Sequence, residues 1–489
     1  MRKIKYILGF CFLLLFTACN DWLDVKPLGQ VEEEKMFEDE KGFLQTLTGT
    51  YTLLNAESAY GEELTLGMVD EIVHYWNEIS KFYDFNYRDS EVEGRLASTW
   101  QQMYKAIANT NLVLKNLEGK QPGDLENFNL IKGEALGLRA YIHLDLLRLF
   151  GPVLKDGLEQ KAIPYHEEFS NQIVKIMTAK EVLEKIEKDL LAAYTLLEED
   201  PVKTLGRTYN ANLENKDLAY QFRGIRMNYY AVCGTLARLY QLKNDAANAL
   251  KYAGEVLEAT DIFQLLKRDD IIQVDRRDLM FQRELIWALY DQNFEKKLGS
   301  KMGYNKYSID FPFKEFVYEQ ADAYGNVADY RSAYLWTEVK MSTAYWIPAK
   351  YVRIYGTASA ADGSREDKTP WEKLLPMMRL TEMYYIAAEC LLATGKDADR
   401  LLAIERLNTV REKRGMSGLG NDLTVASVQS EITKEYQREF INEGQLFYYY
   451  KRLGFEKIPY ATKVATDAVY VVPLPTWDVD LGGMEDYKK

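Results

Sequence analysis

Apolar residues recur every three to four positions along most of this chain, and this helical period restricts its fold more than any other feature. The stretch 178–197 has a defined start, because Thr178 and Glu181 have the spacing of a capping box. A second periodic stretch, 131–153, should end at Gly151-Pro152, since proline cannot continue a helix. The pattern therefore predicts a mainly α-helical fold.

Two helices joined by a tight polar turn recur in the sequence. LARLYQLKNDAANALKYAGEVLEA, residues 236–259, has its turn at 243–245 and resembles a tetratricopeptide repeat. A weaker copy occupies 383–408, and a third pair is expected from 99–117 and 130–150. Because such pairs bury their apolar faces only against neighbours, we expect stacked helix pairs to form a scaffold.

Two stretches of the chain lack this period. Between 262 and 371, glycine, proline and polar clusters interrupt short apolar segments, and LIWALYD (285–291) is short and apolar enough to be a strand. A second irregular stretch runs from Val73 to Asp89. The chain has 35 tyrosines, 20 phenylalanines and eight tryptophans, more than a helical core requires, and both stretches are rich in them. Long loops of this kind are usually functional.

The N-terminus has the layout of an export signal. A basic start precedes an apolar run at 6–16, which is shorter than the roughly 20 residues that a membrane-spanning helix needs. Small residues before Cys19 predict cleavage after Ala18, which makes 1–18 a signal peptide. The arrangement resembles a bacterial lipoprotein signal, in which Cys19 carries the lipid. An ordinary secretory signal with an incidental cysteine is the alternative.

Composition excludes several functions. A formal net charge of -13 argues against nucleic acid and against docking on anionic lipid by charge. Only three histidines are present, and none has the spacing of a zinc motif, which argues against zinc catalysis and against a histidine-based catalytic triad. We therefore expect no enzyme, no cofactor and no catalytic metal. Cys233 and Cys390 lie on apolar helical faces and are expected to be buried free thiols.

Six motifs occur in an order that carries a resemblance. They are DWLD (21–24), EALGLRAYIHLDLLRLFGPV (134–153), LARLYQLKND (236–245), LLPMMRLTEMYYIAAECL (374–391), LNTVREKRG (407–415) and EYQREFINEGQLFYYYKRLG (435–454). Together they resemble the SusD/RagB family of outer-membrane lipoproteins of Bacteroidetes over nearly the whole mature chain. The stretch Glu134 to Pro152 is the most specific of the six.

The resemblance implies a mainly α fold with tetratricopeptide-like helix pairs as scaffold, few short strands and a single domain, 19–489, with a loop-rich insertion at about 262–371. It also implies a cell-surface lipoprotein that binds oligosaccharide and delivers it to a SusC-type TonB-dependent transporter. Three alternatives remain open: capture of peptides, as in RagB-like members, a surface glycoside hydrolase, and a helical scaffold that binds only proteins.

Several polar residues in the motifs are interpreted as structural. Gln445 and Tyr448 stand where many members of the family have arginine and aspartate, and we expect them to be packing variants. Pairing across stacked helices is expected for the charged residues of the most specific motif. These are Arg139, Asp145 and Arg148. The element Asp329-Tyr330-Arg331 is interpreted in the same way.

Ligand contacts are expected in the irregular stretches Val73 to Asp89 and Gly299 to Asp310, because a sugar ring stacks on aromatic planes while its hydroxyl groups need polar partners. The predicted stacking planes are Trp76, Tyr83, Tyr304 and Tyr307. The predicted hydrogen-bonding partners are Asn77, Arg88 and Asn305. For each aromatic residue the alternative is that it fixes its loop onto the scaffold. The segment from Tyr330 to Trp346 is the next candidate.

Overall fold

The computed structural model describes most of the chain between residues 28 and 481. The described residues are 28–77, 80–208, 210, 218–273, 277–299, 301–302, 306–318, 329–340, 343–350, 373–459, 461, 464 and 467–481. The predicted signal peptide 1–18, the predicted lipidation site Cys19 and the predicted contacts Tyr304 and Asn305 lie outside the described residues.

Helices dominate the described chain, as the sequence period predicts. In chain order they are α1 (Leu28–Met36), α2 (Glu40–Leu54), α3 (Met68–Ile72), α4 (Ser90–Leu117), α5 (Phe128–Phe150), α6 (Leu154–Gly157), α7 (Ala179–Leu196), α8 (Val202–Leu205), α9 (Tyr229–Leu242), α10 (Ala246–Glu258), α11 (Arg268–Ile272), α12 (Phe294–Gly299), α13 (Phe311–Val317), α14 (Tyr330–Tyr334), α15 (Leu380–Leu392), α16 (Asp397–Lys413), α17 (Val425–Glu439), α18 (Leu446–Leu453), α19 (Asp467–Tyr470) and α20 (Thr476–Leu481). Within the described residues, no helix combines the length and the apolarity that crossing a membrane requires.

The long helices pack side by side in a continuous row. Helix α4 packs on α5, α5 on α7, α7 on α9, α9 on α10, α10 on α15 and α15 on α16. The row contains all three helix pairs that the sequence predicts, so the stacked scaffold is confirmed. Helix α5 lies inside the row and is buried on nearly every side, because neighbouring helices cover several of its faces.

Two local signals fix helix ends as predicted. At the start of α7, the Glu181 amide donates to Thr178 Oγ1 at 3.3 Å, and the Thr178 amide donates to Glu181 Oε2 at 2.7 Å. This reciprocal pair satisfies two backbone N–H groups that would otherwise lack partners in the first turn. Helix α5 ends at Phe150 with Gly151 as its C-cap, directly before Pro152.

Two small antiparallel sheets accompany the helices. In the first, β1 (Leu285–Tyr290) pairs with β4 (Leu374–Arg379), and in the second, β2 (Trp336–Val339) pairs with β3 (Tyr345–Pro348). The strand predicted in LIWALYD is confirmed as β1, which is buried except at its last residue. The sequence analysis did not predict β4. Its Pro376 cannot donate to a ladder, which a two-stranded sheet tolerates because both strands are edges.

The charged residues of α5 are structural, with one difference from the prediction. Arg139 donates to the two carboxylate oxygens of Asp189 in α7, at 2.6 and 2.9 Å, and so joins two stacked helices as expected. Asp145 and Arg148 instead pair with each other within α5, at 2.5 Å. The prediction of pairing across helices is wrong for this pair, because residues three positions apart are neighbours on one helix face.

Gln445 and Tyr448, which were predicted to be packing variants, both pack against Arg148. Arg148 Nη1 donates to Gln445 Oε1 at 3.2 Å, and its guanidinium carbon lies 4.0 Å from the centroid of the Tyr448 ring. Arg148 is buried, so its guanidinium group needs partners within the protein. The Gln445 side-chain amide and the Tyr448 ring supply two of them. The two residues therefore act as packing variants.

A fully buried cluster of charges joins α14, β4, α16 and α17. Glu439 accepts hydrogen bonds from Arg331 at 2.8 Å, from Arg379 at 2.6 Å and from Arg414 at 2.7 Å. Burial acts to raise the pKa of Glu439, but the three guanidinium groups outweigh it and hold this pKa well below its ordinary value. Arg331 also pairs with Asp329 at 2.8 Å, so the predicted structural role of this element is confirmed.

Cys233 and Cys390 are buried free thiols, as the sequence predicts. Burial raises the pKa of both thiols, and that of Cys390 reaches about 12. Neither thiol is poised for redox or nucleophilic chemistry at neutral pH, because the thiolate is the reactive form.

Replacing His143 with glutamine should reduce the loss of stability in mild acid. His143 is buried, its Nδ1 donates to the Arg139 carbonyl oxygen at 2.8 Å, and its Nε2 accepts from the His166 amide at 3.1 Å, so the folded ring is neutral. Burial holds its pKa well below the ordinary value. In the unfolded chain this side chain takes up a proton near pH 6.5. The free energy of unfolding therefore decreases as the pH is lowered, and His143 accounts for about 2 kcal/mol of this decrease between pH 7 and pH 5. Urea unfolding at both pH values should show this loss in the parent and not in the variant. Equal losses would contradict the assignment.

Candidate ligand-binding site

The fold brings the two predicted irregular stretches into direct contact. The Asn77 backbone N–H donates to the Ser308 carbonyl oxygen at 2.8 Å, and the Asp310 backbone N–H donates to Asn77 Oδ1 at 3.0 Å. The Trp76 ring packs edge-on against the Tyr307 ring, with centroids 5.3 Å apart. Residues more than 200 positions apart in sequence therefore form one loop cluster, as one shared ligand surface requires.

Trp76 and Tyr307 are interior residues of this cluster, which corrects the prediction that they offer stacking planes. Trp76 is 3% exposed, and its Nε1 donates to the Leu66 carbonyl oxygen at 2.7 Å. Tyr307 is 0% exposed, and its hydroxyl donates to Glu62 Oε1 at 2.5 Å. A ring enclosed on both faces cannot stack on a ligand, so these two residues fix the loops onto the scaffold.

Tyr83 keeps a half-exposed position at the edge of the cluster. Its ring stacks on His74, with centroids 4.2 Å apart and planes 14° apart, and its hydroxyl donates to the Trp76 carbonyl oxygen. Asn77 is half-buried, and Arg88 is exposed near the end of the same stretch. Tyr83, Asn77 and Arg88 thus lie at the surface, and their contact with a ligand stays a prediction.

Three of the seven non-glycine residues with positive φ in the described part of the chain lie in the two stretches. His74, Phe85 and Tyr307 have φ values of 58°, 53° and 55°, in the left-handed region that side chains with a Cβ rarely adopt. Strain of this kind costs on the order of 1–3 kcal/mol per residue and tends to occur at binding and catalytic sites.

A third stretch completes the surface. Ile309 and Trp346 exchange two backbone hydrogen bonds of 2.9 Å, which place the half-exposed Trp346 beside the cluster. Lys314 Nζ lies 5.4 Å from the Trp346 ring centroid, and Glu338 is the cross-strand partner of Trp346. Burial lowers the pKa of Lys314, and Glu338 opposes this shift in part.

We call the surface formed by Asn77, Tyr83, Asp310, Lys314 and Trp346 the platform. Trp346 was not among the predicted contacts, although its segment was the next candidate. Its aromatic character in an irregular stretch was the only available signal, because the bridge to Ile309 is a tertiary contact.

Carboxylates beneath the platform hold its loops in place. Arg95 pairs with Glu63 and Glu71, each at 2.7 Å, and Glu71 also accepts from Ser80 at 2.5 Å. Burial acts to raise the pKa of Glu62, but hydrogen bonds from Lys301, Tyr307 and Lys306 outweigh it and lower that pKa. Glu62 is therefore a charged anchor for the loop that carries Tyr307.

The platform offers aromatic and polar side chains on one surface. Half-exposed rings can stack on an apolar ligand face, while the amide, carboxylate and ammonium groups can exchange hydrogen bonds with hydroxyl or carbonyl groups. Among the described residues, no group of three or more His, Cys, Asp and Glu side chains is arranged to hold a metal ion.

Two family models match successive parts of the chain. SusD-like_3, described as "Starch-binding associating with outer membrane", matches residues 21–211, and SusD_RagB, described as "SusD family", matches residues 287–473. Together they cover most of the sequence.

Two curated proteins of Formosa agariphila are similar to parts of the chain. SusD-like protein P2 is 27% identical over 194 residues, which are 37% of this chain and 38% of that protein. SusD-like protein P25 is 24% identical over 164 residues, which are 30% of this chain and 31% of that protein. The match thus spans about a third of each relative's own length.

Solved structures share the fold over nearly the whole chain. A SusD-like carbohydrate binding protein from Bacteroides vulgatus has a TM-score of 0.65 and 17% identity, covering 91% of this chain and 96% of its own. A SusD superfamily protein from Bacteroides thetaiotaomicron has a TM-score of 0.67 and 19% identity, covering 91% and 98%. Since the two SusD family models together match most of the sequence, the chain belongs to the SusD/RagB family.

Proposed function

We propose that this protein is a cell-surface, lipid-anchored binding protein that captures oligosaccharide on the platform and passes it to a SusC-type TonB-dependent transporter. The observation that carries the proposal is the assembly of three distant stretches into one surface, with half-exposed rings at Tyr83 and Trp346 and polar groups at Asn77, Asp310 and Lys314. Sugar rings bind such surfaces because their C–H faces stack while their hydroxyl groups find polar partners.

The relatives support this ligand class. One matching family model is described as starch-binding, and one structural neighbour is described as carbohydrate binding. The platform carries no nucleophile oriented by a base, which favours binding without catalysis. A peptide is the second candidate ligand, because its carbonyl and amide groups can use the same polar partners.

Replacing Tyr83 or Trp346 with alanine should weaken ligand binding at least about thirtyfold, or about 2 kcal/mol, as truncation of a central aromatic anchor typically does. Calorimetry would first screen the purified parent against polysaccharides, soluble starch included, and against peptides, and would then measure both variants with the ligand found. Trp477→Ala is the matched control, since Trp477 is 42% exposed and lies outside the platform. Parent-like affinity in both platform variants would place the site elsewhere, and a peptide ligand would favour the second candidate.

Replacing Cys19 with alanine should release the protein from the outer membrane. The lipid chains of a bacterial lipoprotein together hold the protein stably on the membrane, because each buried methylene contributes about 0.8 kcal/mol. The proposal places all of these chains on Cys19, so the variant lacks them. Fractionation followed by immunoblotting would locate parent and variant. Membrane association of the Cys19→Ala variant would show that the anchor lies elsewhere in the chain.

Delivery requires a transporter, because a protein tethered on the outside cannot itself carry a polar solute through the hydrocarbon core. Affinity purification from outer membranes in mild detergent should recover a TonB-dependent barrel together with this protein. Recovery of this protein alone, with normal growth on the ligand after deletion of its gene, would count against the pairing.

A further inference from the structure

An apolar groove of about 470 Å³ lies beside the scaffold, between α4, the excursion 160–178 and α20. The excursion returns on itself, since Ala162 and Met177 are joined by a backbone hydrogen bond of 2.8 Å. The groove is lined by Trp100, Tyr104, Ala108, Asn111, Ile173 and Trp477, among others.

The rim of this groove exposes large apolar side chains. Ile173 is 66% exposed, Phe169 is 43% exposed and Trp477 is 42% exposed. Apolar groups gathered around a concave surface usually mark a place that another group covers. An occupant with apolar side chains would remove this area from water.

The described chain begins next to the groove. In α1, Glu33 Oε1 accepts hydrogen bonds from Lys115 Nζ at 2.8 Å and from Asn116 Nδ2 at 3.0 Å. Lys115 Nζ also lies 5.4 Å from the centroid of the Phe169 ring at the groove rim. Helix α1 therefore runs along α4 on the side that carries the groove.

The N-terminal end of α1 points toward the groove. Phe37, just after α1, packs on Phe43 with centroids 4.8 Å apart, and Lys120 lies 5.9 Å from the same Phe43 ring. Phe37 therefore lies near the level of Lys120, and Glu33 lies near the level of Lys115, so α1 runs in the same direction as α4. At about 1.5 Å per residue, the start of α1 reaches the level of Asn111, which lines the groove.

We propose that residues 20–27, NDWLDVKP, occupy this groove, with Trp22 and Leu23 against its apolar floor. Eight extended residues span roughly 26 Å, whereas the groove from Asn111 to Trp100 covers roughly 17 Å along α4, so the reach is sufficient. Two further observations fit. Lys105 at the groove has no ion pair with another described residue, and Asp21 or Asp24 can supply one. The family pattern that matches this chain begins at residue 21 and so includes residues 21–27 of the segment.

Docking would hold the first residues of the mature chain against the body. This consequence rests on the proposed lipid anchor at Cys19, because a docked tether fixes the orientation of the platform relative to the membrane. The docking itself requires neither the lipid nor a ligand.

Disulfide trapping in the full chain tests the proposal. Oxidation of outer membranes carrying Leu23→Cys with Ala108→Cys should form an intramolecular disulfide, seen on non-reducing gels, at least tenfold faster than Leu23→Cys with Glu118→Cys. Glu118 is an exposed residue of the same region, about 10 Å beyond the level of Asn111 and away from the groove. The single variant Ala108→Cys is a control that detects any disulfide formed with the native Cys19. Equal rates of disulfide formation in the two pairs would overturn the proposal. It would also be overturned if a soluble glycan bound in the groove without changing either rate.

Hydrogen exchange gives a second readout without introduced cysteines. The double variant Trp22→Ala, Leu23→Ala should exchange amides of the excursion 160–178 at least several-fold faster than the parent, while the affinity of the platform for its ligand stays unchanged. Unchanged exchange in the excursion would overturn the docking. The Cys19→Ala variant should exchange like the parent, so failure of the proposed anchor and failure of the docking give different results.

Discussion

Replacing Glu439 with alanine should destabilise the protein by at least about 3 kcal/mol, because three guanidinium groups would remain buried without their shared carboxylate. Glu439 and its partners Arg331, Arg379 and Arg414 are 0% exposed at their side chains. Water cannot reach these cations to replace the lost hydrogen bonds. Helix α14, strand β4 and the C-terminal end of α16 would lose their common partner in α17.

The free energy of unfolding in urea, followed by circular dichroism, would measure this effect. Asp397→Ala is the matched control, since Asp397 pairs with Arg400 at 2.7 Å but its side chain is 77% exposed. That variant should unfold at nearly the parent's midpoint, because exposed ion pairs contribute little. Equal and small effects of both substitutions would show that the buried cluster does not stabilise the fold as we infer.

Replacing Gly444 with alanine should cost more than about 4 kcal/mol, in the range of the most damaging single substitutions. Gly444 has a φ of 66°, and a Cβ at this position would lie 2.1 Å from the Leu64 carbonyl oxygen. The backbone around Leu64 cannot move freely, since the neighbouring Leu66 carbonyl oxygen accepts the Trp76 indole hydrogen bond that holds the platform loop. The variant should therefore lose ligand affinity as well as stability.

Gly454 offers a matched control for Gly444. Its φ is 64°, nearly the same, but a Cβ there would meet no atom within 4 Å. Gly454→Ala should cost only the strain of the left-handed region, about 1–2 kcal/mol. Melting temperatures measured by calorimetry would separate the collision from the backbone strain. If the two variants melted at the same temperature, the contact with Leu64 would contribute nothing to the effect.

The helical scaffold could be read from local patterns. Thr178 and Glu181 predict the start of α7, because a capping box requires only two residues three positions apart. The turn in 243–245 and the apolar face of α9 likewise depend on near neighbours, so the helix pairs were predictable. The pairing of Asp145 with Arg148 was predicted wrongly, because the charge pattern alone does not choose between a partner on the same helix and one on the next.

The candidate site was predictable in region but not in detail. Both irregular stretches were identified by their aromatic residues and broken period, and the structure places them together. Which rings face outward was not predictable, because burial of Trp76 and Tyr307 results from their contact with each other and with Leu66 and Glu62. The position of Trp346 depends on its bridge to Ile309 in the same way.

The sequence by itself determined the helical period, the ends of several helices and the motifs by which the family is recognised, and it predicts an export signal. These features depend on residues close together in the chain, whose geometry the backbone fixes. The tertiary structure alone decided that Trp76 and Tyr307 are buried, that Trp346 joins the platform and that four arginine and glutamate side chains share one interior cluster. Such outcomes depend on contacts between residues far apart in the chain, and their strength is set by the exclusion of water, which exists only once the elements have packed.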